Sequence, residues 1–482
     1  MINEEKLLNK IETNIANVRG FIAAFNVNID SIHLITEGEI TELFRNMDQE
    51  EKVKVLEYMN NPSYVIRSPT ELLAGLAYVI CNEKTAEWNI LNREVHEWIK
   101  NRFKPDSLRI GGQAGNIAYQ LAKLGIKRVY VSIPRLSLTQ AKMYSGLPNI
   151  FVPSISNNKI EFKHPLDAIY PEDEDLIHWI FEIPKNLKFD LIDKRCRSNT
   201  HLRFIAAWDE VTSRLEFKEE FKKGSVEIVK EADYAVASGY HLLRREYSDG
   251  STPEEHVQKT LNLLKSWKEI NPSLKIHYEH GFTGDSELLR VIYDNLPEVI
   301  DCVGLNEVEL PLILKTYGLN REAEDIWKNP SSLNLFKGLL KMSELTAFKR
   351  LTLHTKDFSM SLMSREFDLD LENEVEGLIF GSLTAASTAL NGVFSDLNEI
   401  RHAAEKLSLS RYGVEQMNRL SEYLRDYGGE LRISRDSMTS YLGDFSLSYA
   451  AARVVPSPVA TVGLGDAFTA GLLTVEAFSQ RH

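Results

Sequence analysis

Two kinds of apolar patterning run along this chain, and the change from one to the other divides it. Residues 20–27 (GFIAAFNV) are almost continuously apolar, as a strand covered on both faces requires. The run leads into Asn26-Val27-Asn28-Ile29-Asp30, polar groups at the carboxyl end of a strand, where ligands sit in α/β sheets. After Asn116 the stripe in IAYQLAKLG predicts an amphipathic helix that stops at Gly125, followed by a strand over 128–133. Residues 234–238, 275–279, 299–304 and 351–354 read as further buried strands with helical segments between them. Residues 320–350 and 400–427 read as charged helices, and a helix is predicted near 69–81.

Residues 150–206 have a different rhythm. Short alternating runs (IFVPSI, KIEFKHP, HWIFEIP) punctuated by proline predict antiparallel strands. The whole predicts an α/β fold with a mostly parallel central sheet and helices on both faces. Residues 1–30, 107–155 and 205–482 would form that large unit. Residues 31–106 and 156–204 would form a smaller α+β unit inserted as a lid over the strand ends.

Charge narrows the partners. The 482 residues carry 56 Lys+Arg and 69 Asp+Glu, a net charge of −13. A surface this acidic repels nucleic acid and anionic membranes, so neither is an expected partner. An anionic small molecule remains open where the fold supplies local positive potential. The first residues, MINEEKLLNKIETN, hold charges where a secretory leader would be apolar. Residues 377–393 are interrupted by Ser, Thr and Asn and fall short of the ~20 residues of a membrane span, so they read as a buried helix. A cytoplasmic protein is expected. Cys81, Cys196 and Cys302 are too few for a disulfide framework or zinc ribbon and read as core thiols in a reducing compartment. Oligomeric state is open, and a monomer is compatible with all of this.

Three local patterns could carry chemistry. Thr461-Val462-Gly463-Leu464-Gly465-Asp466 opens a helix; its glycines admit a ligand to the backbone, and the helix N-terminus attracts phosphate or a developing oxyanion. Asp466, at an N-cap or N1 position, is either a plain cap or a general base taking a proton from a hydroxyl. Gly111-Gly112-Gln113-Ala114-Gly115-Asn116 is either a simple glycine turn or a surface for polyol hydroxyls. His277-Tyr278-Glu279 and Asn306-Glu307-Val308-Glu309 put carboxylates at adjacent strand ends. On a helix starting at Asn306, Asn306 and Glu309 share a face and suit either a capping box or a hydrated Mg²⁺. All of these fall at strand-to-helix junctions of one sheet, which favours one site over several unrelated turns.

These motifs resemble those of the ADP-dependent sugar kinases, the archaeal-type ADP-dependent glucokinases and 6-phosphofructokinases of the ribokinase-like superfamily. GLGD at 463–466, NEVE at 306–309 and HYE at 277–279 match the family's G-x-G-D, N-x-x-E and H-x-E. The resemblance runs from about Phe21 to the C-terminus. It implies a ribokinase-like sheet plus lid, and transfer of the ADP β-phosphoryl group to a sugar hydroxyl. It implies Asp466 as base, Gly463 and Gly465 at the transferring phosphoryl group, and Arg203 near the phosphates. Glu279 and Glu309, with Asp466 close by, would hold Mg²⁺ or another divalent cation. Asn306, His354, Val455 and Val462, with Gly465, would face the nucleotide. Asn28, Asp30, Glu87, Gly111, Gly112, Gln113, Asn116 and His178 would face the sugar.

In that family a glutamate at the position of Glu87 accompanies glucose use. Its bland alternative is a solvated helix-end residue. The basic group Lys163, Arg195, Arg197 and Arg203 favours a sugar phosphate, or is merely a surface charge run. Together these features predict a kinase accepting both glucose and fructose 6-phosphate. The competing readings are a single-substrate enzyme, an ATP-dependent relative, or a non-catalytic binding protein.

Overall fold

The computed structural model describes residues 4–479. It contains a twelve-stranded sheet and a separate six-stranded sheet. Seven neighbouring strands of the large sheet are parallel: Arg350–His354, Cys302–Asn306, Lys275–Glu279, Tyr234–Ala237, Phe21–Ala24, Val129–Val131 and Ile150–Ser156. Antiparallel strands finish both edges, with Phe358–Ser364 on one side and Lys159–Lys163 on the other.

The apolar strands are buried on both faces because alternate residues enter different cores. Ile22, Ala24, Ala235, Ile276 and Val303 pack into one. Phe21, Ala23, Val129, Tyr234 and Val236 pack into the other. The second core includes three helices, Gln113–Leu124, Leu371–Asn391 and Leu464–Ser479. Residues 377–393 thus fall largely in a buried helix, and no helix among the described residues is long and apolar enough to cross a membrane. Arg350, fully buried, pairs with Glu374 at 3.2 Å and also with Glu476. Tyr234 donates to Glu476 as well. This group ties the last helix to the middle of the sheet, and removing one member would leave an uncompensated buried charge.

The small sheet runs in the order Val65–Ile66, Ala86–Ile90, Leu202–Trp208, Ile177–Ile183, Asn28–Leu34, Ser107–Gly111. Trp88, Trp179, Phe181, Phe204 and Ala206 cover one face with a third core that includes residues of helices Glu37–Arg45, Pro69–Asn82 and Arg93–Arg102. Residues of the opposite parity, Asp30, His178, Glu182 and Arg203, form the other face.

Several expected boundaries move. The first strand ends at Ala24, and Asn28–Asp30 begins a strand of the small sheet instead of ending one in the large sheet. One apolar run crosses from sheet to sheet, and its hydrophobicity is indifferent to which sheet it enters. Residues 107–111 and 202–208 likewise pair in the small sheet, while 159–163 pairs at the edge of the large one.

The cysteines also differ from expectation. Cys81 and Cys196 form a disulfide across 115 residues, with Cα atoms 4.7 Å apart, and only Cys302 is a free buried thiol. Packing of the 69–82 helix against the Lys194–Arg197 strand brings the two together, which their separation in sequence concealed.

Candidate active site

The helix Leu464–Ser479 begins two residues before Asp466, which therefore lies in its first turn instead of capping it. Gly463 has φ +70°, a left-handed turn that glycine adopts without strain. The first helical backbone bond at this end runs from Ala467 N to Gly463 O, leaving the preceding N–H groups for a ligand. A Cβ on Gly465 would stand 3.0 Å from His354 Nε2, a contact tight enough that the ring would have to shift. Asp466 is buried, and Asn116 Nδ2 donates to its Oδ2 at 2.8 Å. Burial, reinforced by the nearby Glu279, pushes the Asp466 carboxyl up to about 8.

Glu279 ends its strand and accepts from Thr469 Oγ1 at 2.8 Å, with His277 Nε2 at 3.0 Å. Its burial raises it to about 8. Glu309 is raised by burial to about 8, and the Glu279 and Glu307 charges add to the shift. The strand continues through Asn306 and the helix starts only at Glu309, later than expected. Asn306 Oδ1 accepts from Glu309 N at 3.1 Å, and Glu309 Oε2 accepts from Asn306 N at 2.9 Å, so the capping reading is realised. Among the described residues no three His, Cys, Asp or Glu side chains converge as direct metal ligands. Glu279 adds to the upward shifts of both Asp466 and Glu309, and buried carboxylates so placed fit a divalent cation held largely through water.

The polar face of the small sheet supplies the opposite wall. Gly111 and Gly112 are required there: a Cβ on Gly111 would overlap Asp30 and Asn28, and Gly112 sits at φ +75° against Asn26. Asn28 donates to Asp30 at 3.0 Å, and burial raises Asp30 to about 6. Asp30 is directly opposite His178 in the sheet. His178 Nδ1 lies 3.8 Å from Glu87 and Nε2 3.5 Å from Asp209. Burial opposes charge on His178, yet Asp209, Glu87 and Asp30 together hold its pKa above the ordinary value. Glu87, on a strand and raised by burial, is not a solvated helix end. Gln113 Nε2 donates to His280 O at 2.6 Å and holds its loop against the large sheet.

Arg203 spans the two units: its Nη2 donates to Glu182 at 2.6 Å and to Thr461, just before Gly463, at 3.1 Å. Its expected basic neighbours do not join it. Lys163 pairs with Glu161, Arg195 with Asp190, and Arg197 with Asn186, each locally. His354 is half-buried, desolvation lowers it to about 4, and its ring lies 5.1 Å from Phe468. Val455 packs with Ala386, Ala403 and Leu407, and Val462 is half-buried in the loop before Gly463. Asp209 and Glu182 carry no motif, and each is recognisable only as the partner of a residue distant in sequence, His178 and Arg203. Thr461 and Thr469 lie in the glycine-rich segment, but their partners, Arg203 and Glu279, are set by the fold.

The model of the ADP-specific phosphofructokinase/glucokinase conserved region matches residues 19–475. The chain belongs to this family. An ADP-specific phosphofructokinase of Pyrococcus horikoshii is 32% identical over 95% of this chain and 98% of its own length. An ADP-dependent glucose/glucosamine kinase of Pyrococcus abyssi is 29% identical, covering 98% of this chain and 96% of its own. The structure of an ADP-dependent kinase in complex with fructose 6-phosphate and ADPβS superimposes with a TM-score of 0.85 at 27% identity, covering 99% of this chain and 97% of that one. Members of the family thus include both phosphofructokinases and glucose kinases, and the likeness extends over both sheets of this chain.

Proposed function

We propose that this protein transfers the β-phosphoryl group of ADP to a sugar hydroxyl, releasing AMP, and accepts both glucose and fructose 6-phosphate. The observation that carries the reading is Asp466: a buried carboxylate, oriented by Asn116, at a helix N-terminus whose backbone donors are free. It faces a wall of hydrogen-bonding side chains suited to a polyol.

Asp466 takes the proton of the attacking hydroxyl, and the sugar oxygen bonds to phosphorus as AMP leaves. The N–H groups beyond Gly463 and Gly465, with Arg203, neutralise charge on the transferring group. Asn306 and His354 border the nucleotide, with Val455 and Val462 on the adenine-side loop. Asn28, Asp30, Glu87, His178, Gln113 and the Gly111–Gly112 backbone orient the sugar. Glu279 and Glu309 would hold Mg²⁺ through water, supplying charge neutralisation at the ADP phosphates. Residues 31–106 and 156–204, with the strands that join them, act as a lid that excludes water and limits ADP hydrolysis. A cytoplasmic location fits substrates of this kind.

Glu87 supports glucose use, since its half-buried carboxylate is placed to accept from sugar hydroxyls. Initial rates with glucose and fructose 6-phosphate, each with ADP and with ATP, test the reading. Turnover with ADP and both sugars is expected; turnover with ATP alone, or with neither donor, would refute it.

A further inference from the structure

Two adjacent arginines follow the strand Tyr234–Ala237, and their surroundings are opposite. After the left-handed Gly239 and the turn Tyr240–Leu242, the chain leaves the carboxyl end of the parallel sheet, the end that carries Glu279. Arg245 is exposed and well paired, with Asp285 at 2.6 Å and Glu287 at 2.9 Å. Arg244 is largely enclosed. Its Nε and Nη2 are shielded from solvent and have no hydrogen-bond partner among the described residues.

That inverts the usual rule, because a buried cation is ordinarily paired and an exposed one can rely on water. The nearby acids cannot serve it. Glu210 is held by Arg214 at 3.0 Å. Asp209 accepts from Thr212 N at 2.8 Å and faces His178 Nε2 at 3.5 Å. The Tyr247 hydroxyl is likewise committed: it donates to Ser213 O at 2.5 Å and accepts from the Arg244 backbone N at 3.0 Å. Burial correspondingly lowers the Arg244 pKa, with Glu210 and Asp209 offsetting this in part. The unpaired atoms, Nε and Nη2, form the side-on edge of the guanidinium, the edge that matches two oxygens of one phosphate.

Asp209 and His178 place this edge beside the sugar wall and not beside the Gly463 turn, where Arg203 already stands. We propose that Arg244 receives the phosphate of a phosphorylated sugar and sets the preference for that substrate over an unphosphorylated one. The inference rests on the sugar-kinase reading. The shielded edge becomes accessible when the two walls of the cleft part, and the phosphate replaces the missing counter-ion when they close.

The test is steady-state kinetics of the full chain and of Arg244→Met and Arg244→Lys, with ADP and either fructose 6-phosphate or glucose. In Arg244→Met the KM for fructose 6-phosphate should rise at least about tenfold, as for loss of charged hydrogen bonds. Lysine should restore part of it. The KM values for glucose and ADP should stay within about twofold, and thermal stability should not fall, because an unpaired buried charge stabilises nothing. An unchanged fructose 6-phosphate KM, a parallel rise in the ADP KM, a fall in thermal stability, or a wild type that phosphorylates glucose alone would overturn the proposal. A wild type that phosphorylates neither sugar would overturn the kinase reading itself.

Discussion

Asn116 and Asp466, 350 residues apart in sequence, meet through a 2.8 Å hydrogen bond between the N-terminal turns of two helices. The amide donates, so it favours the charged carboxylate and fixes which oxygen is left for a substrate hydroxyl. Asp466→Ala should lower kcat by a factor of about 10² or more, the size expected of a general base, with ADP binding by calorimetry largely kept. Asn116→Ala should lower kcat more than it raises either KM. Retained turnover in Asp466→Ala would exclude its role as base.

Gly111→Ala tests the sugar wall. The added methyl would collide with the Asp30 and Asn28 side chains, so both must move. The KM for either sugar should rise at least about tenfold while the ADP KM changes little, since a displaced pair of hydrogen-bonding groups costs a few kcal/mol. Unchanged sugar kinetics would show that these side chains do not face the sugar.

Glu87→Ala separates the two sugars. Glu87 is half-buried beside His178 and has a carboxylate to offer hydroxyl groups. Glucose turnover should fall by about tenfold or more, with fructose 6-phosphate affected less. Equal glucose rates in variant and wild type would remove Glu87 as a selector.

The stability of the free protein should depend on pH through Asp466, Glu279 and Glu309. Each is raised in the folded state to about 8, from ordinary values of 3.8 or 4.5. Between those limits the unfolded chain ionises and the folded one resists, so their contribution is complete at low pH and is lost as pH rises through about 8. The melting temperature should therefore decline from pH 5 to pH 8 for the free protein. Mg²⁺ with ADP should restore more at pH 8 than at pH 5, because a bound cation favours the charged carboxylates. A melting temperature that rises over this range would contradict the burial of these groups.

Reduction of the Cys81–Cys196 bond releases a loop of 115 residues. Loop-closure entropy for a loop this long puts the loss at up to about 5 kcal/mol, so Cys81→Ser or a reductant should lower the melting temperature. Thiol titration of the unfolded, unreduced protein should find Cys302 alone. Three reactive thiols would show that the bond is not formed.

Much of the parallel sheet was legible because strands buried on both faces are largely apolar: 21–24 (FIAA) and 234–237 (YAVA) carry that signature with no help from context. A buried helix over 377–393 was legible for the same reason, although the helix begins earlier, at Leu371, and the Gly-rich turns were legible because few side chains tolerate their backbone. Boundaries set by pairing were not. Nothing in GFIAAFNVNID tells that the chain changes sheets near Asn26, since either sheet satisfies the same hydrophobicity.

The local motifs determined which atoms could do chemistry: a carboxylate after two glycines, carboxylates at strand ends, a glycine pair before a helix. Tertiary structure alone decided which of them meet. It joined Asn116 to Asp466, set Asp209 behind His178, paired Cys81 with Cys196, and sent Lys163, Arg195 and Arg197 to separate local partners. The net charge of −13 shows the same division. Composition excludes a polyanion groove because long-range repulsion sums over the surface. Whether one cleft can still hold an anion depends on where single cations stand and whether an acid already neutralises them. Arg203 has such an acid in Glu182, whereas Arg244 Nε and Nη2 have no hydrogen-bonded acid among the described residues.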